Sequence, residues 1–261
     1  MKPDYRNWVP KTMLYALAAS AVLTYVISFF LWQWLRPGSM KTASVLFFLA
    51  AAVVLTGVFF WMAGMYRAFS YDGTRRLSKD IIEGLAEYVE VPKNGLVLDV
   101  GCGSGALTIA VAKRNPTAHV IGVDRWGKEY GSFSKQLCEN NAKAEGVANV
   151  QFIKGDAAGL DFPDERFDAV TSNYVYHNIT GMPRQELLLE TLRLVKQGGT
   201  FAIHDIFSRG KYGDMQSFMN MLRAEGYEDV QKIDTTDGSF MTKKEATRYC
   251  LRHSAILYGK K

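Results

Sequence analysis

The chain is poor in the side chains that build metal and redox centres. Its three cysteines, Cys102, Cys138 and Cys250, and its four histidines show no ligand-like spacing, so a zinc site, a disulfide framework and a metal-dependent reaction all lack support. A reduced, cytosolic setting suffices for such thiols. Internal repeats and low-complexity tracts are missing too. So is strong charge across most of the molecule: residues 81–261 hold 22 Lys and Arg against 23 Asp and Glu. A balance so near neutral lacks the electrostatic footprint of nucleic-acid binding, and no DNA or RNA partner is expected.

Charge is missing altogether from residues 12–35 and 42–66. Each stretch exceeds the roughly 20 residues that cross a bilayer as helix, so residues 1–66 read as an integral transmembrane hairpin. The first stretch is longer than the apolar core of a signal peptide and has no small-residue cleavage site. Without an ionisable residue inside either span, transport and proton relay gain no support. The turn Arg36-Pro37-Gly38-Ser39-Met40-Lys41 carries only two positive charges, whereas Lys2, Arg6, Lys11, Arg67, Arg75, Arg76 and Lys79 flank the outer ends. That asymmetry predicts a multi-pass protein of the cell membrane with both termini and the following domain in the cytoplasm. The same positive excess, nine Lys and Arg against three Asp and Glu in residues 1–80, fits an anionic lipid surface. Small residues recur at Ala16, Ser20, Thr24 and Ser28, and at Ala43, Ala50, Gly57 and Gly64; such stripes could pack the hairpin on itself or join two chains as a homodimer.

What the remainder does contain is a glycine loop. Leu96-Val97-Leu98 leads into Asp99-Val100-Gly101-Cys102-Gly103-Ser104-Gly105 and then an amphipathic stretch, which reads as strand, loop and helix. Gly101, Gly103 and Gly105 let the backbone turn tightly and approach a ligand, with the amides at the helix start facing the same space. Gly101, Gly103 and Ala106 also satisfy a relaxed dinucleotide fingerprint. Asp99 argues against a phosphate there and for a ligand that carries positive charge. Three more acids and strands follow in order: Asp124 about 20 residues on, Asp156-Ala157 after a third strand, and Phe167-Asp168-Ala169-Val170-Thr171-Ser172-Asn173 as a fourth. Alone, each acid would equally suit a helix N-cap.

With these four motifs in register, residues from about 77 onward resemble the class I S-adenosylmethionine-dependent methyltransferases. The resemblance implies an α/β fold, a Rossmann-like seven-stranded, mostly parallel sheet whose last strand runs antiparallel, preceded here by the two transmembrane helices. It implies S-adenosylmethionine as cofactor, held by Asp99, Gly101, Cys102, Gly103, Gly105, Asp124, Arg125, Asp156, Ala157 and Asn173. Cys102 has the plainer reading of a small residue in a tight loop. Trp126 is placed to flank adenine, in a segment (Arg125-Trp126-Gly127-Lys128-Glu129-Tyr130) longer and more aromatic than the usual family loop. Residues 91–261 form the methyltransferase domain, and residues 67–90 a linker and cap. Within the domain the pattern predicts helices at 132–145, 183–196 and 214–225, the second ended by Gly198-Gly199, and strands at 150–154, 200–206, 230–233 and 254–258.

The methyl acceptor should meet the segment after strand four, Ser172-Asn173-Tyr174-Val175-Tyr176-His177-Asn178-Ile179, at the carboxyl edge of the sheet. His177 and Tyr174 are the candidate catalytic residues. His177 has a ring suited to a general base, or else packs at a helix start; Tyr174 and Tyr176 line the pocket or serve the fold. His204-Asp205, at the end of strand five, faces the same edge or caps it. The segment lacks the Pro-Pro of adenine and glutamine amino-group methylases. The linker Phe69-Ser70-Tyr71-Asp72-Gly73-Thr74-Arg75-Arg76-Leu77 is either a pocket wall or a plain tether. A small or lipophilic acceptor is therefore expected: a phospholipid amine, a quinone precursor, or a hydrophobic thiol or phenol. The competing readings are a nicotinamide-dependent oxidoreductase, which Asp99 and the lack of a second nucleotide-binding half disfavour, and a non-catalytic cofactor-binding module at the membrane.

Overall fold

The computed structural model describes residues 2–127 and 132–261 and divides into two compact units. Residues 7–78 make one, and residues 2–6 with 79–261 make the other, so the expected 67–90 linker is shared between them. The first unit contains α1 (Lys11–Trp34) and α2 (Ser39–Phe69) packed as a hairpin. Their apolar windows are only 11% and 6% buried, unlike the core helix of a soluble protein. Contact between them runs through Ala21, Ser28 and Ala52, and the Ser28 hydroxyl donates to Val45 O at 3.2 Å. The small-residue stripes only partly coincide with that face. Ala16 and Ser20 are exposed where Thr24 and Ser28 turn inward, because a four-residue step advances about 40° around a helix of 3.6 residues per turn. Ala43, Ala50 and Gly57 all lie on the exposed side of α2.

The second unit is built on seven strands: β1 (Leu96–Val100), β2 (His119–Asp124), β3 (Val150–Lys154), β4 (Phe167–Asn173), β5 (Val195–Ile206), β6 (Glu228–Asp234) and β7 (Ser254–Lys260). They form one sheet in the order β3-β2-β1-β4-β5-β7-β6, with every pairing parallel except the two that β7 makes. Central strands such as β1 and β4 are buried along nearly their whole length because helices cover both faces. Leu98, Val100, Ile121, Val170 and Ile203 pack with Leu187, Leu188 and Leu192 of α6 (Arg184–Leu192) and with Phe218 and Leu222 of α8 (Met215–Ala224). The chain leaves β1 towards β2 and β3, then returns to lay β4 on the other side of β1. Neighbouring loops diverge there and open a crevice at the strands' carboxyl ends.

The largest departure from the expected boundaries lies between α6 and β5. The helix expected over 183–196 stops at Leu192, and Gly198-Gly199 falls inside β5 instead of ending the helix. Val195, fully buried, pairs with Phe167, so the chain enters the sheet before the glycines. Gly198 at φ +78° and a register shift between Phe167 and Ala169 absorb the bulge. Three helices escaped the sequence reading: α3 (Leu77–Ala86), α7 (Arg209–Tyr212) and α9 (Lys243–Arg248).

Candidate active site

The glycine loop joins β1 to α4 (Ala106–Arg114). Gly101, Gly103 and Gly105 all have left-handed φ, at +73°, +54° and +79°, and a Cβ on Gly101 would sit 2.2 Å from the Val175 side chain. Most of the loop's own amides are already engaged within the protein. Gly101 and Cys102 N–H donate to Val123 O at 2.8 and 3.1 Å, Gly103 N–H to Asp124 Oδ2 at 2.9 Å, and Gly105 N–H to Cys102 O at 2.7 Å. With Gly101, Cys102, Gly103 and Gly105 N–H spent on the Val123 and Cys102 carbonyls and the Asp124 carboxylate, the loop has few amides left for a phosphate. What remains is acidic and suits a cation.

Asp99 lies buried on β1, where Thr108 Oγ1 donates to Oδ2 at 2.6 Å, while Oδ1 is buried without a partner. Burial, with a smaller push from Asp124, lifts its carboxyl to about 7. Such an acid ionises readily once a positive charge arrives. Asp124, at the end of β2, accepts from Gly103 N–H through Oδ2 and from Trp126 N–H through Oδ1 at 2.7 Å. A carboxylate has about four acceptor positions, so each oxygen can still take a hydroxyl. Trp126 adopts φ +44° and its indole N–H donates to Gly103 O at 3.0 Å, which fastens this side chain to the loop. Lys128, Glu129 and Tyr130, from the same expected segment, lie outside the described residues. Asp156 follows β3, with Oδ1 accepting from Ala158 N–H at 3.0 Å and Oδ2 lying 3.9 Å from the exposed Arg125 guanidinium; Ala157 is half-buried beside it. Cys102 is buried and burial pushes its thiol up, in keeping with a small, unreactive loop residue.

Beyond β4, Asn173 Oδ1 accepts from His204 Nδ1 at 2.8 Å, and His204 Nε2 meets Thr235 Oγ1 at 2.9 Å. His204 is fully buried and held down to about 3, so it is a neutral structural ring. The catalytic role expected of Tyr174 does not suit its setting. Its hydroxyl is 2.7 Å from Ser254 Oγ, its ring lies tilted against His204 with centroids 4.6 Å apart, and burial raises its phenol, all of which make it a poor proton carrier. His177, in the short 3-10 turn Tyr176–Asn178, is different. Its Nδ1 lies 2.6 Å from Asp205 Oδ1, and its backbone N–H donates to Asp205 Oδ2 at 3.2 Å. Asp205 is fully buried at the end of β5 and the His177 side chain retains 13% exposure. An ionised carboxylate only accepts, so the proton sits on Nδ1 and Nε2 is the basic nitrogen. Asp205 was visible in the sequence as an acid at a strand end. Its pairing with His177 was not, because it depends on the parallel register that sets Asn173 against His204.

A seven-stranded sheet of this order, with a cation-favouring glycine loop and two acids at its switch point, defines a class I methyltransferase domain, whose cofactor is S-adenosylmethionine. Residues 92–250 match the methyltransferase-domain family, and the chain belongs to it. A demethylmenaquinone methyltransferase of Geobacillus sp. is 36% identical over 121 residues, 45% of this chain and 47% of that protein. A sterol 24-C-methyltransferase of Neurospora crassa is 31% identical over 130 residues, 49% of this chain and 32% of that protein. The chain thus spans less than half the length of these curated relatives. Among solved structures, the [4+2]-cyclase SpnF superposes with a TM-score of 0.53 at 20% identity, over 70% of this chain and 81% of that one, a likeness of fold alone.

Proposed function

We propose that this protein is membrane-anchored and transfers a methyl group from S-adenosylmethionine to a lipophilic acceptor with an ionisable hydroxyl, of the quinol or phenol type. The observation that carries this reading is the His177–Asp205 pair at the carboxyl edge of the sheet, next to the acid-lined glycine loop. Asp99, Asp124, Asp156, Arg125 and the loop residues Gly101 to Gly105 would hold the cofactor, and the residues present fit it: Asp99 Oδ1 is an orphaned buried acceptor and Asp124 retains acceptor capacity. Bound there, the cofactor supplies a methyl group on a positively charged sulfur. His177 Nε2 then takes the acceptor's proton, while Asp205 fixes the ring tautomer and stabilises the imidazolium that forms. The two relatives named for a demethylated quinone and a sterol support a lipophilic acceptor, and two exposed apolar helices support a membrane location. The distribution of positive charge supports cytoplasmic termini.

Turnover with phenolic and quinol acceptors in lipid vesicles tests this reading. His177→Ala should slow methyl transfer by about 10²–10⁴ with cofactor affinity nearly unchanged, and the loss should shrink for acceptors that are already ionised. Asp205→Asn should act in the same direction. A rate that survives both substitutions on every hydroxyl acceptor removes the dyad from catalysis.

A further inference from the structure

Resting on the cofactor reading above, we infer that the segment before the first apolar helix positions the cofactor loop, acting through Asn141. This side chain, on α5 (Lys135–Ala144), is buried and uses both ends of its amide. Asn141 Oδ1 accepts from the Asp4 backbone N–H at 2.7 Å; Nδ2 donates to Asp4 O at 2.9 Å and to Ser104 O at 3.0 Å. Ser104 lies between Gly103 and Gly105, in the turn whose Gly103 N–H donates to Asp124. Tyr5, itself buried, donates to Glu145 Oε1 at 3.0 Å, and Glu145 is ion-paired with Lys113 of α4. Residues 4 and 5 are therefore bonded to Asn141 and Glu145 of the α5 segment, and reach α4 only through Glu145 and the loop only through the Asn141 amide.

The amide works as a relay because its two ends are chemically distinct. The Asp4 N–H requires an oxygen opposite it, which turns Nδ2 towards Ser104. Without that donor, Asn141 Oδ1 is a buried acceptor with nothing to accept, and rotation of the amide would release the Ser104 carbonyl. Both glycines flanking Ser104 are in left-handed conformations that a free loop would leave easily. Asn141 and the Asp4 backbone are positioning groups and touch no reacting atom.

Substitution in the full-length protein separates this role from simple packing. Asp4→Pro deletes the backbone N–H along with the side chain's exposed contacts with the Arg6 N–H and guanidinium, whereas Asp4→Ala keeps the N–H and loses only those contacts. Asp4→Pro should bind S-adenosylmethionine and S-adenosylhomocysteine about tenfold more weakly by calorimetry, equivalent to about 1.4 kcal/mol. Its KM for the cofactor should rise with kcat at saturation unchanged, and amide hydrogen exchange over residues 101–109 should quicken in the free protein. Asp4→Ala should match the wild type in all three. Asn141→Ala carries the same expectation as Asp4→Pro should the proline variant not fold. Wild-type affinity and loop exchange in both disruptive variants would overturn the inference. A wild type that binds neither ligand would instead count against the cofactor reading, with loop exchange still deciding whether the segment orders the loop.

Discussion

Asp99 carries its consequences at the scale of one carboxyl group. With Oδ2 on Thr108 and Oδ1 buried and alone, the folded protein keeps its proton to about pH 7, whereas the unfolded chain loses it near 4. Across that window the folded state binds more protons than the unfolded one, so stability falls as pH rises and levels off above 7. The fall amounts to about 4 kcal/mol at most. Asp99→Asn keeps a partner for Thr108 and has nothing to ionise. Without cofactor it should melt at the wild-type temperature near pH 4 and several degrees higher at pH 8, while binding S-adenosylmethionine more weakly. Identical pH dependence of melting in the two proteins would show that Asp99 does not hold the proton. Stability gained and binding lost by one substitution is what a group kept for a charged ligand should show.

The unit formed by β1, the glycine loop and α4 was the most legible element, because its constraints are local. A continuous apolar strand, three glycines and a helix read directly from adjacent residues. Less legible was what holds the loop shut. Val175, 74 positions after Gly101 in sequence, fills the space where a side chain on Gly101 would go. Gly101→Ala should therefore cost about 3 kcal/mol, combining left-handed backbone strain with overpacking. Adding Val175→Ala should restore part of that loss in denaturant unfolding; two strictly additive penalties would mean that the contact does not limit the loop. The same contrast explains the other outcomes. Asp124 and Asp156 could be found from their spacing to strands, whereas the Asp205 partnership with His177 and the turn of Tyr174 towards Ser254 arise from register between distant strands. Gly198-Gly199 misled because a glycine pair marks a helix end and a strand bulge equally well, and only pairing of Val195 with Phe167 separates the two.

On the scale of the whole molecule, the division into residues 7–78 and the remainder separates the proposed anchor from the proposed catalytic site. All the residues proposed to hold the cofactor and the His177–Asp205 pair belong to the unit of residues 2–6 and 79–261. A chain beginning at residue 79 should accordingly fold, stay in the supernatant after carbonate extraction, and bind cofactor, although more weakly for want of residues 4 and 5. The full chain should remain in the membrane pellet, since two uncharged stretches of this length strongly favour the bilayer. Measured at saturating cofactor, the truncated enzyme should turn over a short-chain, water-soluble phenol as fast as the full chain does. With a long-chain quinol held in vesicles, its rate should drop at least tenfold, because the acceptor is then concentrated where the enzyme is not. Equal rates on the vesicle-bound acceptor would leave the hairpin as an address with no part in substrate encounter. A loss on both acceptors alike would mean that the deleted residues 1–78 contribute to the active site itself.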